Sequence, residues 1–241
     1  METIFVQIPA YKDEEIIPSV KDLYAKAKHP HHISVGICWQ NRLEGEHGEL
    51  NIEGSDENVR ILNMQASASE GVGWAKRHAQ SLYQNEDYVL AVDSHSRFAE
   101  DWDATLIELL GQCPSTKAIL SSSPHPYRLH TQTLVEETAT FRYPSHYAAN
   151  GFLKLVALRF NTVPQLPLQA PFLSPRFMFS KAQFIQDVPA DPFIYFSEEE
   201  ITLSMRAWCA GWDLYHSIRV PIWHLYNSDP TLRPLHWKEN L

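Results

Sequence analysis

Tyr88-Val89-Leu90-Ala91-Val92-Asp93-Ser94-His95 is the stretch of sequence that decides the fold class. Its first five residues are a continuous apolar run, which is typical of a β-strand buried on both faces. The polar triplet that follows is therefore predicted to leave this strand at its carboxyl end. Ligands of open α/β sheets bind at that edge, so the triplet is the first candidate for a functional site.

The spacing within the triplet suits a metal ion. Asp93 and His95 are two residues apart, and in an extended turn both side chains can reach one ion from the same side. A carboxylate with an imidazole suits Mn²⁺ better than Ca²⁺, which prefers oxygen ligands. Such triplets are also common by chance, and Asp93 could instead cap the following loop beside an incidental histidine. His224, in an apolar setting, is a candidate third ligand that would by itself be read as a core residue.

Strands and helices alternate outward from the triplet through the first half of the chain. Periodicity predicts strands over 3–8, 33–39, 59–64 and 117–121, and helices over 14–28, 73–84 and 101–110, with Asp101 as the N-cap of the last. This order predicts one α/β domain over residues 1–241, built on a mostly parallel central sheet.

The second half of the chain is less regular. Residues 123–147 are predicted as loop with one strand at 136–142, and 151–159 as a strand. The segment 161–175 contains four prolines and is predicted to run over the surface. A helix is predicted over 197–209, with Ser197 as N-cap and Glu200 completing a capping box. Residues 223–226 are predicted as a short strand before a polar tail.

Composition narrows the function classes. A formal net charge of -9 without a block of Lys and Arg disfavours nucleic acid as a partner. An acidic chain can still bind an anionic nucleotide if a divalent cation neutralises the phosphates. Cys38, Cys113 and Cys209 form no CxxC pair, which favours a reducing compartment. No signal peptide or membrane-spanning run is recognised, so a cytoplasmic location is expected.

Three further motifs carry candidate chemistry. The turn at 9–15 could stack a base on Tyr11 and bond its edge through carboxylates, or Asp13 could simply cap the next helix. The segment 71–77 could start a helix whose N-terminus meets a phosphate, with Arg77 neutralising charge nearby, or its glycines could serve packing. Residues 198–200 could accept hydrogen bonds from sugar hydroxyls, or cap their helix.

Taken in order, these segments resemble the cytosolic GlcNAc-transferase family, whose known members modify a hydroxyproline on the adaptor subunit of a ubiquitin ligase. The resemblance is carried by residues 71–77, 88–98, 102–103, 177–180, 188–192, 199–204, 206–208, 211–213 and 224–226. That family is similar in turn to the mucin-type polypeptide GalNAc-transferases, which share the Asp-x-His triplet and a distant C-terminal histidine.

The resemblance implies a GT-A fold, a UDP-sugar donor, Mn²⁺ (or Mg²⁺) and transfer with retention of configuration. It assigns the metal to Asp93, His95 and His224, and contacts to the sugar or acceptor to Glu199 and Glu200. It places the nucleotide near Pro9, Ala10, Tyr11, Asp13, Gln40, Arg77, Asp93 and Ser94. By the same mapping, residues up to about 122 bind the nucleotide, and residues 123–241 bind the sugar and acceptor.

Two segments depart from the family where the sugar is expected. Ser174-Pro175-Arg176 stands where small residues are usual, and Glu198 stands where Gly is common. GlcNAc is the first expectation for the donor sugar, while the acceptor, a hydroxyl on a protein or glycan, stays open. The alternatives are a non-catalytic UDP-sugar or carbohydrate-binding module, and a nucleotide-sugar pyrophosphorylase or phosphohydrolase. A pyrophosphorylase would need a glycine-rich basic loop after the first strand, which residues 9–15 lack.

Overall fold

The computed structural model describes residues 2–41, 50, 52, 58–129, 131, 133–135, 139–149, 151–162, 164–226 and 234–239. Its strands are β1 (Ile4–Tyr11), β2 (Ile33–Asn41), β3 (Val59–Gln65), β4 (Tyr88–Val92), β5 (Ser96–Phe98), β6 (Ala118–Ser121), β7 (His125–Arg128), β8 (Thr133–Leu134), β9 (Thr140–Tyr147), β10 (Leu153–Arg159), β11 (Leu168–Gln169), β12 (Phe177–Lys181), β13 (Asp213–His216) and β14 (Ile222–His224). Its α-helices are α1 (Ile16–Ala25), α2 (Val72–Gln80), α3 (Trp102–Gly111), α4 (Gln183–Asp187), α5 (Glu199–Cys209) and α6 (His236–Glu239).

The main sheet has eight strands in the order β11-β13-β6-β12-β4-β1-β2-β3. The pairs β1–β2, β1–β4, β2–β3 and β6–β13 are parallel. Strand β12 runs antiparallel to both of its neighbours, and β11 runs antiparallel to β13. The mostly parallel α/β sheet predicted from the sequence is confirmed.

Strand β4 lies in the middle of the molecule and is buried on both faces, as its apolar run predicts. On one face Tyr88, Leu90 and Val92 belong to the core cluster that includes Val20 of α1 and Leu106 of α3. On the other face, Val89 and Ala91 pack in the cluster that contains α4 and α5. Because a strand alternates its side chains between the two faces, this double coverage fixes β4 and the residues that leave its end.

Helix starts differ from the predicted caps. Asp101 stands at the N-cap of α3, but it has φ 56° and its side chain makes no capping bond. Its backbone N–H donates instead to the carbonyl of Lys26, which ties α3 to the end of α1. Helix α5 starts at Glu199 without a side-chain cap, so the predicted capping box from Ser197 to Glu200 is wrong. Among the described helices, none is long and apolar enough to cross a membrane.

The loop predicted over 123–147 is largely strand. Strands β9 and β10 form a separate antiparallel ribbon, and β7 and β8 join a second small sheet. Residues 136–138 of the strand predicted at 136–142 lie outside the described residues. Polar and aromatic residues are mixed along β9, so its pattern gave no clear period, whereas β10 lies within the strand predicted over 151–159. In the segment predicted to run over the surface, Leu173 and Ser174 are fully buried.

His216, at the end of β13, is buried between the main sheet and the ribbon. Its ring centroid lies 5.9 Å from that of Phe141 and 6.3 Å from that of Phe160, both in edge-on contact. Burial lowers the pKa of His216 from 6.5 to about 4, and an interaction with the backbone of Ser121 offsets only part of this effect. The folded protein therefore holds this imidazole in its neutral form.

We expect the free energy of unfolding to decrease as the pH is lowered from about 6.5 to about 4. In this range the imidazole of His216 is protonated in the unfolded chain but stays neutral in the folded protein. The lowered pKa corresponds to about 3 kcal/mol across that window. Urea unfolding at several pH values should show a shallower fall for His216→Phe than for the unchanged protein. Identical pH slopes for the two proteins would contradict this assignment.

Candidate metal centre and its two cavities

The candidate metal centre forms where the carboxyl ends of three parallel strands meet. Asp93 follows β4, Tyr11 ends β1, and Gln40 of β2 pairs with Tyr11 in the sheet register. The triplet that the sequence predicted at this edge lies there, with Ser94 and His95 buried.

His224 reaches this edge through the small sheet β5-β14-β7-β8. Strand β14 pairs antiparallel to β5, with His224 opposite Ser96. The backbone N–H of Leu225 also donates to the carbonyl of His95. A short strand pairing thus brings together two histidines that are 129 positions apart in the chain.

One ligand atom from each of Asp93, His95 and His224 lies within 4.8 Å of the other two. The Nε2 atoms of His95 and His224 are 3.0 Å apart, and Nε2 of His224 is 2.8 Å from Oδ2 of Asp93. The two histidines are buried, and the Asp93 side chain is about a quarter exposed, at 23%. Two nitrogens and one oxygen therefore converge on a point that remains open on the carboxylate side.

The charge states at this point suit a cation. Burial would raise the pKa of Asp93, but the hydrogen bond with His224 and the positive charge of Lys76 hold it well below its ordinary value. Burial lowers the pKa of His224 to about 4, against the opposing bond to Asp93. Asp93 is thus ionised and His224 neutral near pH 7, which are the forms that bind metals.

The hydrogen bonds among these three residues leave lone pairs without protons. Nδ1 of His95 lies 2.7 Å from Oδ2 of Asp13, and a proton on that nitrogen leaves Nε2 as an acceptor. Neutral His224 then has a single N–H to place against both His95 and Asp93. Its other nitrogen, Nδ1, is buried without a partner in the described part of the chain. A divalent ion would take lone pairs from all three residues at once, and the N,N,O set fits Mn²⁺.

Asp13 is held by hydrogen bonds from the residues around it. It is 2% exposed, and Oδ2 accepts a hydrogen bond of 2.8 Å from the hydroxyl of Ser94. Oδ1 accepts a bond from the backbone N–H of Glu15, the residue at the N-cap position of α1. Asp13 therefore lies directly behind His95, inside the wall of the site.

A first cavity of about 400 Å³ opens over the metal centre. Most of the predicted nucleotide and metal residues line it, namely Pro9, Tyr11, Asp13, Gln40, Asp93, Ser94, His95 and His224. Ala10 is fully buried and lies behind this lining. The amide of Gln40 is held by Ser69 and by the carbonyl of Ala10.

Arg77 is not part of this arrangement, because it is exposed on α2 and lines neither this cavity nor its neighbour. The preceding residue, Lys76, is 3% exposed and points inward. Its Nζ lies 2.7 Å and 2.9 Å from the two carboxylate oxygens of Glu199 and donates to the carbonyl of Pro175. The sequence identified the correct helix for a cation but assigned the neighbouring side chain.

Of the two alternatives for the start of α2, a phosphate site and close packing of its glycines, the structure favours packing. The N–H of Val72 donates to the carbonyl of Tyr195, and the N–H of Gly73 donates to that of Ile194. A Cβ on Gly73 would lie 2.2 Å from the carbonyl oxygen of Asp191. The glycines thus allow close backbone packing, and these donors are already used.

Glu199 and Glu200 line a second cavity of about 490 Å³ between α5 and the β9–β10 ribbon. Burial raises the pKa of Glu199, while the ammonium of Lys76 opposes this rise. Glu200 forms ion pairs with Arg142 and with Arg176, the second at 3.3 Å. The two cavities share Val72, Asp93, Arg176 and Phe196, so they meet at the metal centre.

The described part of the tail forms one wall of the first cavity, which sequence reasoning missed. Trp237 stacks on Phe196 with ring centroids 4.3 Å apart, and Nδ1 of His236 lies 2.8 Å from the hydroxyl of Tyr195. The hydroxyl of Tyr11 donates to Glu239 at 2.7 Å. The only signal in the sequence is a pair of aromatic residues, His236 and Trp237, in an otherwise polar tail.

Comparisons with known proteins agree with this geometry. The sequence matches the family described as Glycosyltransferase (GlcNAc) over residues 3–53 and 44–241. A search of curated protein sequences found no match.

The fold is similar to that of solved glycosyltransferases. A structure of GalNAc-T7 with UDP, GalNAc and Mn²⁺ superposes with a TM-score of 0.71 at 15% identity, over 94% of this chain and 44% of that one. A structure of S. aureus TarS 1-349 in complex with UDP-GlcNAc gives 0.59 at 14% identity, over 95% of this chain and 60% of that one. The chain thus spans less than two thirds of either protein, and it shares their GT-A fold.

The ion pair in the site can be tested with two adjacent residues of α2. Lys76→Met leaves the buried carboxylate of Glu199 without its cation, so we expect a loss of about 3 kcal/mol in the free energy of unfolding at pH 7. Arg77→Met, at an exposed position, should change it by less than about 0.5 kcal/mol. Chemical denaturation of both variants measures the difference.

Adding Glu199→Gln to Lys76→Met should restore most of the lost stability, because no unpaired charge then remains. The single variant should also recover partly as the pH falls towards about 4.5, where a Glu199 with a raised pKa becomes protonated. Equal effects of Lys76→Met and Arg77→Met would show that the buried pair does not form.

Proposed function

Because the chain belongs to the Glycosyltransferase (GlcNAc) family, we propose that it transfers a sugar from a UDP-sugar to a hydroxyl acceptor on a protein or glycan. GlcNAc is the sugar that we propose first. The observation that carries the proposal is the convergence of Asp93, His95 and His224 at the junction of two cavities. A transferase needs this arrangement, since donor and acceptor must meet at one point.

In this proposal the nucleotide occupies the first cavity. The turn at the end of β1 would contact the base and ribose, with Tyr11 supplying an aromatic face, and Gln40 would support this turn from behind. The wall of Tyr195, Phe196 and the tail would exclude water from the diphosphate. The base and ribose contacts would come from residues up to about 122, whereas the wall around the diphosphate comes from residues beyond it. The sugar and acceptor would lie among residues 123–241 of the same domain.

Asp93, His95 and His224 would hold Mn²⁺ or Mg²⁺ beside the diphosphate. Such an ion supplies a Lewis acid that stabilises the negative charge developing on a UDP leaving group. Arg176 lies in both cavities and adds a fixed positive charge on the same side. Preorganised charges in a cavity that excludes much of the water stabilise the transition state without having to reorganise during the reaction. This is the main contribution to the reaction rate that the site offers.

Glu199 and Glu200 would orient the donor sugar or the incoming hydroxyl. Both oxygens of Glu199 are bound by Lys76, and Glu200 is bound by two arginines, so neither is placed as a free nucleophile. We therefore propose that the acceptor attacks from the face that the leaving group vacates, which gives retention of configuration. This step follows the family resemblance and the paired state of the two carboxylates.

Calorimetry of UDP binding tests the metal assignment. We expect UDP to bind at least about tenfold more tightly with Mn²⁺ than with EDTA, because the diphosphate then meets a neutralising ion. His95→Ala should remove this difference, whereas His31→Ala, at an exposed position, should preserve it. Circular dichroism of both variants checks that they fold. Metal-independent UDP binding, or an unchanged Mn²⁺ dependence in His95→Ala, would refute the metal centre.

A UDP-release assay over a panel of UDP-sugars tests the activity and the donor. We expect Mn²⁺-dependent release that is fastest with UDP-GlcNAc, and NMR of the freed sugar should show the α-anomer first. Faster release from another UDP-sugar would correct the donor assignment. Metal-dependent UDP binding without release from any donor would favour a binding module, and nucleoside triphosphate formed on adding pyrophosphate would favour a pyrophosphorylase.

A further inference from the structure

Asp13 lies behind the candidate metal centre, at the wall of the first cavity. Oδ2 of Asp13 is 2.7 Å from Nδ1 of His95 and accepts the hydroxyl proton of Ser94 at 2.8 Å. Asp13 is 2% exposed, although it belongs to the wall of the first cavity. A carboxylate buried to this extent has little surface with which to bind a base or ribose.

Asp13 accepts hydrogen bonds from two donors on different sides. The hydroxyl of Ser94 and the backbone N–H of Glu15 both donate to it, so the carboxylate is bound from two sides. Its contact with Nδ1 of His95 is favourable only when that nitrogen carries the proton. The lone pair of His95 is then on Nε2, the atom that lies 3.0 Å from Nε2 of His224.

The turn that carries Asp13 is itself held in place. The carboxylate of Glu15 pairs with Arg97 at 2.6 Å and accepts a hydrogen bond of 3.1 Å from the hydroxyl of Tyr127. Arg97 is 7% exposed and belongs to β5, the strand that follows His95. The carboxylate and the imidazole are therefore attached to the same small sheet, which limits their relative motion.

We propose that Asp13 is a positioning residue that fixes the tautomer and ring orientation of His95, so that Nε2 faces the metal ion. The inference rests on the proposed metal centre, and it replaces the nucleotide contact that the sequence suggested for Asp13. Hydrogen bonds from a carboxylate to the far nitrogen of a metal-binding histidine typically change metal affinity by about 10- to 100-fold.

Asp13→Asn tests this role while nearly preserving shape. The amide presents one oxygen and one NH₂ group to donors that a carboxylate satisfied with two oxygens, so Nδ1–H of His95 loses support. We expect the Kd for Mn²⁺, followed by EPR of the free ion without nucleotide, to rise by about 10- to 100-fold. UDP affinity measured in EDTA should stay the same. A fall in that metal-free affinity with unchanged Mn²⁺ binding would instead make Asp13 a nucleotide contact.

Asp103→Asn provides the matched control. Asp103 is also 2% exposed and accepts backbone hydrogen bonds from Lys28 and His29, but it lies in α3 and lines neither cavity. We expect Asp103→Asn to lower stability and to leave the Mn²⁺ affinity within about twofold, since it has no contact with His95. Equal losses of Mn²⁺ affinity in both variants would show a general effect of removing a buried carboxylate, and would overturn the proposal.

NMR of ¹⁵N-histidine-labelled protein gives a readout that needs neither metal nor activity. The His95 signals, identified by their loss in His95→Gln, should show the proton on Nδ1 in the unchanged protein and a shift towards Nε2 in Asp13→Asn. A proton on Nε2 in the unchanged protein would overturn the proposal even if Asp13→Asn failed to fold. If the unchanged protein does not bind Mn²⁺, the proposed metal centre fails, and the tautomer still decides the role of Asp13.

Discussion

The pairing of β14 with β5 is the constraint on which the candidate site depends. Asp93 and His95 are fixed locally, because both leave a strand whose two faces are covered by core residues. His224 comes from a distant part of the chain, and only the antiparallel register that sets it opposite Ser96 brings its imidazole to His95. Strands β5 and β14 have three residues each. Their pairing adds His224 to Asp93 and His95 and so completes the candidate three-ligand centre.

Buried charge around this centre is arranged in pairs. Lys76 neutralises Glu199, and two arginines neutralise Glu200. The carboxylate of Asp13 accepts hydrogen bonds from Ser94 and from the backbone N–H of Glu15. An isolated charge in such an environment would be costly. Paired side chains are held rigidly, because separating the pair would leave a buried charge without its partner. Asp93 differs, since its side chain is partly exposed and its neighbours are neutral or positive. The site is therefore built to keep one carboxylate ionised and accessible.

Local pattern was enough to predict the sheet and the edge where the site lies. Strand β4 has the predicted bounds, because a continuous apolar run of that length has few alternatives. Local pattern could not decide whether Lys76 or Arg77 is the cation of α2 that points into the site. Adjacent residues on a helix point about 100° apart, and the rarity of fully buried lysines favours the wrong side chain.

Contacts between distant segments were the other part that the sequence could not supply. Tyr11 and Glu239 are 228 positions apart, and nothing in the polar composition of the tail indicates that it returns to the first strand. Strand β9 gave no clear periodic signal, because half of its residues face solvent without a regular apolar stripe. Both elements nevertheless form walls of the two cavities.

The junction between the cavities contains Arg176, which belongs to one of the two segments that depart from the sequence resemblance. Arg176 lines both cavities, pairs with Glu200 and lies 5.9 Å from the ring centroid of Tyr226. In the proposed reaction the transferred sugar must pass this guanidinium, because Arg176 is one of four residues that the cavities share. A bulky cation there removes volume and adds hydrogen-bond donors in the space where a donor sugar would be recognised. In the proposed reaction, Arg176 and Glu200 are therefore the side chains that we expect to select the sugar, more than the metal ligands.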